Sequence, residues 1–424
     1  MTFKRRAHMT RETSRAGRHS ILSLLLCCWP LGWLVGCGEI GNLSGVVAVA
    51  MADAKPTPPT PWSPDGFRDD LYAEIASSGS TAWFVEVGLR RGDPKKRNDI
   101  GARLYRLNRP IGSWRELPRI RDSIDPDQSI DLAISTVSRM RGVPCLGYTS
   151  SLANITRVKC LIRGVWTQLH LTAAMRRAGH LFGFDGSTHR LVAAFSDRRG
   201  SGAVARVFVR GRRSRSWVRA ADPLVVEPGL LGLGRSASNA LSIGFEDGAG
   251  ERSVLTSQGF GWQRRGSVIS DVGVGPFVSG PIQVGKSTFF PAVDTDRSPW
   301  EYSVFAATRR SRWHRWHQLG GSPLNRGSGN AQGSIDLLGN DVWASWQENA
   351  IRADGLFGTK VFAARLDRNG VAGSRIRVWR GVTIGPGPTG VSEIDGRILV
   401  LYVRGAPSGG LRATVEGLGA RSSF

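Results

Sequence analysis

From about residue 70 onward the chain is a succession of short apolar runs broken by glycine-bearing or polar turns. One stretch divides into DLYAEIAS, TAWFVEVG, ARLYRLN and SWRELPRI, and a later one divides in the same way into HLFGFD, HRLVAAFS, VARVFVR and SWVRAAD. Runs of this length, bounded by turn residues, predict strands. In each set the fourth run opens on a tryptophan. It recurs as Trp62, Trp114, Trp166, Trp217, Trp262, Trp316 and Trp379, with Trp313 beside the sixth, at spacings of 52, 52, 51, 45, 54 and 63 residues.

A period near 50 residues, filled by four strand-like runs, is the sequence signature of a β-propeller. The 54 glycines and 14 tryptophans agree, since tight turns between short strands consume both. The final repeat, VSEIDGRILVLYVRGAPSGGLRATVEGL, supplies only three strands, whereas Trp62 stands one period ahead of Trp114 with no three strands before it. The expectation is therefore an all-β, seven-bladed β-propeller of four-stranded antiparallel blades over residues 62–424, its ring closed by the N-terminal strand around Trp62. Six or eight blades are the alternatives, because the 63-residue interval has room for an insertion.

The stretch GPIQVGKST, Gly280 to Thr288, matches the phosphate-cradling pattern with Gly280, Gly285, Lys286 and Ser287 in the required places. A nucleotide site of that kind needs a buried strand before the loop and a helix after it. Here TFFPAVDTDRSPW follows, which reads as strand then turn. In the propeller phasing these glycines belong to a hairpin between the first two strands of the fifth blade, so the match is taken as spurious and nucleotide binding is not expected.

The N-terminus carries an address. Residues 1–20 hold six basic residues and one acid, and the run ILSLLLCCWPLGWLVGCG follows. That order is a secretory leader, too short and too interrupted by Pro30 for a spanning helix. Leu34-Val35-Gly36-Cys37 resembles the bacterial lipobox, which implies a signal peptide over 1–36, lipidation of Cys37 and a membrane-anchored, extracytoplasmic lipoprotein. The alternative is cleavage among Ala48, Ala50, Ala52 and Ala54, which leaves a secreted or periplasmic chain. KPTPPTP lies within an extended linker over 37–61.

With Cys37 at the mature terminus, Cys145 and Cys160 remain as internal cysteines, placed symmetrically about a turn near Leu152 and Ala153. They can face one another as a disulfide in an oxidising compartment or stay as two buried thiols. Local catalytic and metal patterns such as H-E-x-x-H, C-x-x-C and G-x-S-x-G are absent, so catalytic residues are unknown and no metal or cofactor is expected. Asp125, Asp127 and Asp131 in DPDQSID lack the glycine and final glutamate of a calcium loop and read as an inter-blade loop.

Two segments, SQGFGW (Ser257 to Trp262) and DRNGVAGSRIRVW (Asp367 to Trp379), resemble the Asp-box of sialidase-like propellers, with serine or Asx, glycine and tryptophan kept and the spacing altered. The resemblance implies three arginines, a Tyr/Glu nucleophile pair and an acid around the central channel. The nearest counterpart of the family's Arg-Ile-Pro motif is LPRIRD at Arg119, which the phasing puts on or just after an outer strand.

The net charge of +23 favours anionic partners, although 50 of the 57 basic residues are arginine, a bias that a GC-rich genome also produces. Basic clusters fall on both faces of the ring, whereas nucleic acid would want them gathered on one, so nucleic acid is not the expected partner. The best local anion site is Arg309, Arg310, Arg312 and Arg315 interleaved with Trp313 and Trp316. Together these features describe an exported, lipid-anchored envelope propeller that binds or scaffolds a protein or an anionic glycan. A sialidase-like enzyme acting on acidic sugars is the runner-up.

Overall fold

The rhythm of four runs per repeat becomes seven antiparallel blades. The structure, a computed structural model, describes residues 69–420 apart from connecting segments, the longest being 90–99, 270–278 and 309–316. All of them fall in the unit Pro56–Phe424.

Blade one runs through Asp69–Ser78, Thr81–Leu89, Ile100–Asn108 and Arg115–Glu116. Blade two follows with Asp131–Val137, Met140–Ser150, Ile155–Ile162 and Val165–Gln168. Blade three comprises His180–Gly186, Arg190–Arg199, Gly202–Gly211 and Val218–Arg219, with Leu224–Val226 also paired to its third strand. Blade four has Leu231–Ser236, Ser242–Glu246, Arg252–Gln258 and Gly261–Ile269. Blade five has Ile282–Val284, Ser287–Asp294, Glu301–Thr308 and His317–Gln318. Blade six has Asn330–Leu338, Asp341–Ile351, Phe357–Asp367 and Ile376–Thr383. Blade seven contributes Gly390–Ile394, Arg397–Gly405 and Leu411–Ala420. The closing strand expected around Trp62 lies outside the described residues. The 63-residue interval is used within blade six, whose second and third strands reach 11 residues each and which inserts the short strand Gly370–Val371 before its outer one.

The continuous apolar runs have a direct cause. Successive residues of a strand point to opposite faces, and in a propeller both faces of a blade's middle strands are covered by neighbouring blades. In Thr81–Leu89 the residues Trp83, Val85 and Val87 pack toward blade two, while Ala82 and Phe84 pack toward blade seven. The second strand of blade three divides in the same way, with Leu191, Ala193 and Phe195 on one side and Val192 and Ala194 on the other. Seven buried clusters result, one at each interface of the ring. Blades seven and one join through Ile394, Leu399, Leu401 and Val415 against Ala73, Ile75 and Phe84.

Around the axis, polar side chains tie several first strands to the next. Glu74 accepts the Leu132 amide at 2.6 Å, and Asp336, at the corresponding place in blade six, accepts the Val391 amide at 2.8 Å. Ser77 accepts the Glu393 amide, which links the first blade to the last. Blades four and five differ from the rest. Their first strands pair in parallel, Arg235 with Ile282 and Ser236 with Gln283, so the two blades form one eight-stranded sheet.

Among the described residues the recurring tryptophan immediately precedes or lies within the outermost strand. Two of these side chains show what it does there. The indole of Trp166 donates to the Pro118 carbonyl of the preceding blade, and that of Trp262 donates to the Asp222 carbonyl at 2.7 Å. Each clamps an outer strand to its neighbour.

Candidate functional site

A cavity of about 320 Å³ occupies the channel at the end where first strands run into their turns. Six of the seven blades line it. Its walls are aliphatic, with Ile75, Ile134, Leu233, Leu337, Leu338 and Val391 among them. Its polar positions are Ser77, Asp185, Ser187, Arg190, Ser236 and Ser392, with Ser78 at the rim.

Asp185 and Arg190 come from one hairpin. Asp185 stands near the end of the first strand of blade three, Arg190 opens the second, and the Ser187 amide donates to the Arg190 carbonyl at 2.8 Å. Ser135 of blade two, itself 2% exposed, donates to the carbonyls of Ser187 and Arg190 and so holds the turn against the ring. Gly186 ends the strand where blade two leaves little room: a Cβ would lie 3.1 Å from the Ser135 Cβ and the Ile134 carbonyl oxygen. Burial draws the Arg190 guanidinium below the ordinary arginine value, and the charge of Asp185 opposes that shift.

Asp185 is the one carboxylate among the described lining residues, and Arg190 the one cation. The nearby acids Glu74 and Asp336 are engaged as inter-blade struts. Among the described residues no cluster of three His, Cys, Asp or Glu is placed to hold a metal ion.

Tyrosine–carboxylate pairs do occur, away from the channel. Tyr105 donates to Glu86 at 2.6 Å, Tyr402 to Glu416 at 3.0 Å, and Tyr148 to Asp122. Burial first, then the adjacent carboxylate, raises all three phenols above their ordinary value. A nucleophile needs the opposite shift. Glu86 is fully buried and Tyr105 is 5% exposed, so this pair has no route to a substrate. For Asp122, burial works against ionisation, but hydrogen bonds from Tyr148 and Lys159 and the charges of Lys159 and Arg157 hold it below the ordinary carboxylate range. These pairs carried a faint sequence signal, an acid such as Glu86 inside an apolar strand.

The sequence candidates fall as follows. Cys145 and Cys160 are registered partners on the second and third strands of blade two and are joined by a disulfide with S–S 2.08 Å. Gly285 is a hairpin glycine with φ +56°, Lys286 is exposed beside it, and Ser287 opens the next strand. Gly280 has another cause: a Cβ there would lie 2.0 Å from the Leu233 carbonyl oxygen, where blades four and five pair. No helix follows, so nothing in this segment cradles a phosphate. Arg119 sits just past the outer strand of blade one, paired with Glu116 at 2.7 Å. Asp131 opens the first strand of blade two, while Asp125 and Asp127 lie outside the described residues. Cys37 and the cluster Arg309, Arg310, Arg312, Trp313, Arg315 and Trp316 also lie outside them. The channel residues were not singled out in the sequence, since they come from separate blades and share no local motif.

No protein-family model matches the chain, and no curated protein matches it in sequence. Among solved structures it is similar to the β-propeller domain of the Trilobed protease from Pyrococcus furiosus, at 8% identity and TM-score 0.49, covering 83% of this chain and 96% of that one. It is similar also to the fucose-specific lectin from Aleuria aurantia, at 13% identity and TM-score 0.44, covering 73% of this chain and 100% of the lectin. For Trypanosoma rangeli sialidase the identity is 9% and the TM-score 0.42, over 86% of this chain and 58% of that structure. The class defined by the strands themselves is a seven-bladed β-propeller.

Proposed function

We propose that the chain is an exported, lipid-anchored propeller that works as a binding module at the cell envelope and takes an anionic glycan, or a protein of similar charge, on its outer surface. The observation that carries this reading lies on the outer edge of blade six. Lys360 and Arg380 are direct cross-strand partners, both exposed, with Arg377 exposed on the same outer strand. None of the three has a hydrogen-bond or ion-pair partner among the described residues. Like charges set directly opposite one another repel, and a polyanion laid across them relieves that repulsion. Arg212 and Arg213 add exposed charge at a turn of blade three. The channel supports binding over hydrolysis, because most glycosidases flank the scissile bond with two carboxylates and the described lining supplies Asp185 alone, with no tyrosine beside it.

The test is retention of the mature chain on a sulfated-glycan column across a salt series. Wild type should elute late, and a Lys360→Gln/Arg380→Gln chain should elute at lower salt with a shallower salt dependence. Co-elution of the two chains would sink the assignment. Anchoring is tested separately: Cys37→Ala should move the protein from the membrane to the soluble fraction, and an unchanged distribution would remove the lipid from the account.

A further inference from the structure

We propose that one face of the ring, across blades one to three, is a docking surface for an anionic lipid leaflet, its arginines meeting phosphate headgroups and two valines reaching the boundary beneath them. The inference is independent of the glycan reading, since Lys360 and Arg380 lie toward the opposite end of blade six. First and third strands of a blade run in the same direction, so the turns that follow them emerge on one face, the face that carries the channel cavity. There blade one presents Arg106 and Arg115, direct cross-strand partners on either side of the turn between third and fourth strands. Blade two presents Arg163 in the same turn and Arg141 near the start of its second strand. Blade three presents Arg212 and Arg213 just past its third strand. All six are exposed, and none has a side-chain hydrogen bond or ion pair among the described residues.

Neighbouring acids do not cancel this charge. Glu116, beside Arg115, is engaged by Arg103 and Arg119, and Asp185 lines the channel with Arg190. Asp367 and Asp395, both exposed, stand on the same face but at turns of blades six and seven. The face is therefore polarised, and an anionic plane meets it best over three consecutive blades. Apolar side chains select a leaflet over a soluble polyanion. Val165 opens an outer strand two residues after Arg163 and is 65% exposed, and Val218, which opens the outer strand of the next blade, is 55% exposed. An arginine turn followed by an exposed valine thus occurs in two neighbouring blades. Alkyl groups gain little from a sulfated sugar or a phosphodiester in water, whereas at a leaflet they enter the headgroup boundary while arginine binds phosphate. Stacking on sugars or bases needs open aromatic faces, and the tryptophans beside these turns serve the fold: Trp114 packs on Phe84, Trp166 donates to Pro118 and Trp217 is buried.

Co-sedimentation tests this, using the mature chain bearing Cys37→Ala so that no attached lipid contributes, with vesicles of equal phosphatidylglycerol and phosphatidylcholine or of phosphatidylcholine alone. Binding to the anionic vesicles only is expected, weakening as salt rises. Arg163→Gln/Arg212→Gln/Arg213→Gln should weaken it about tenfold or more, since each charge near an anionic leaflet is worth roughly fivefold. Val165→Ser/Val218→Ser should weaken it about threefold to tenfold while keeping the salt slope of wild type. Lys360→Gln/Arg380→Gln should bind as wild type. The exchanged side chains are exposed, so each variant should keep the thermal midpoint of wild type, and Arg106→Gln/Arg115→Gln gives the same reading from another blade. The proposal is overturned by equal binding to neutral vesicles, by no binding to anionic ones at low salt, or by a triple arginine variant that binds as wild type does. Valine variants indistinguishable from wild type would overturn the leaflet in favour of a soluble polyanion. The sulfated-glycan column with Lys360→Gln/Arg380→Gln reports on blade six, so either reading can fail without the other.

Discussion

Single side chains hold this ring in two ways that chemistry can separate. The Cys145–Cys160 bridge joins residues 15 apart across one hairpin. Closing a loop of that length is worth about 3 kcal/mol through the unfolded chain. The Cys145→Ala/Cys160→Ala chain should lose stability of that order in urea unfolding, and a reductant should have no further effect on it. The buried phenols respond to pH. Tyr105, Tyr148 and Tyr402 have folded values raised above the ordinary 10.0, so the neutral form is favoured in the fold. Their contribution is fully present below that pH and is lost as pH climbs past it, because only the unfolded chain releases the proton readily. Urea midpoints measured from pH 9.0 to 11.5, values chosen to span roughly the phenol range, should fall at the alkaline end. A Tyr105→Phe/Tyr402→Phe chain should show a shallower fall, and an identical slope would show that these phenols do not set the alkaline limit.

Among the elements, the hairpin 280–288 shows how a local pattern and its surroundings part company. Its glycines serve a close backbone approach and a left-handed turn, and its lysine points to solvent. Gly280→Ala should therefore damage the fold severely, since the obstruction is the Leu233 backbone, which cannot swing aside. Gly285→Ala should cost about 1–2 kcal/mol for its left-handed turn. Lys286→Ala should stay within about 0.5 kcal/mol of wild type. A nucleotide site would give a different pattern, with Lys286 the sensitive position for ligand binding; thermal unfolding of the three variants with and without ATP distinguishes the two. Much at this scale was legible in the sequence. Thr81–Leu89 reads as a strand because both its faces are buried between blades, and Trp166 and Trp262 mark outer strands because each indole reaches the preceding blade. The channel site was not legible. Asp185, Arg190 and Ser392 are brought together by closure of the ring from positions as far apart as blades three and seven, and no spacing in the chain announces it. Glu86 and its phenol were only half legible, since an acid inside an apolar strand says that a partner is needed without saying which residue it is.

Across the whole molecule, stability is distributed over seven interfaces that differ in kind. Between blades four and five the buried cluster is Val254, Phe290 and Ala292, with Phe305 against it, and paired backbones supply the rest. Phe290 is fully buried there. Phe290→Ala should cost about 3–5 kcal/mol, and hydrogen exchange should speed up first in Leu231–Ser236 and Ile282–Val284, the strands that hold this seam. Uniform acceleration around all seven blades would instead mean that the ring opens as one unit.

The hydrogen bond between Ser77 and Glu393 spans 316 positions of the chain. At translation rates of about 5–20 residues per second, the first blade waits roughly 15–60 s for its partner to be synthesised. Throughout that interval Ala82 and Phe84 lack their blade-seven partners, Ile394, Leu399, Leu401 and Val415. Blades one to six can mature in order as the chain emerges, each against the one before, but the apolar side of the first stays open until the last has been made. The molecule thus spends its early life with one sticky edge, and it is that edge which a chaperone, or a second nascent chain, would meet first.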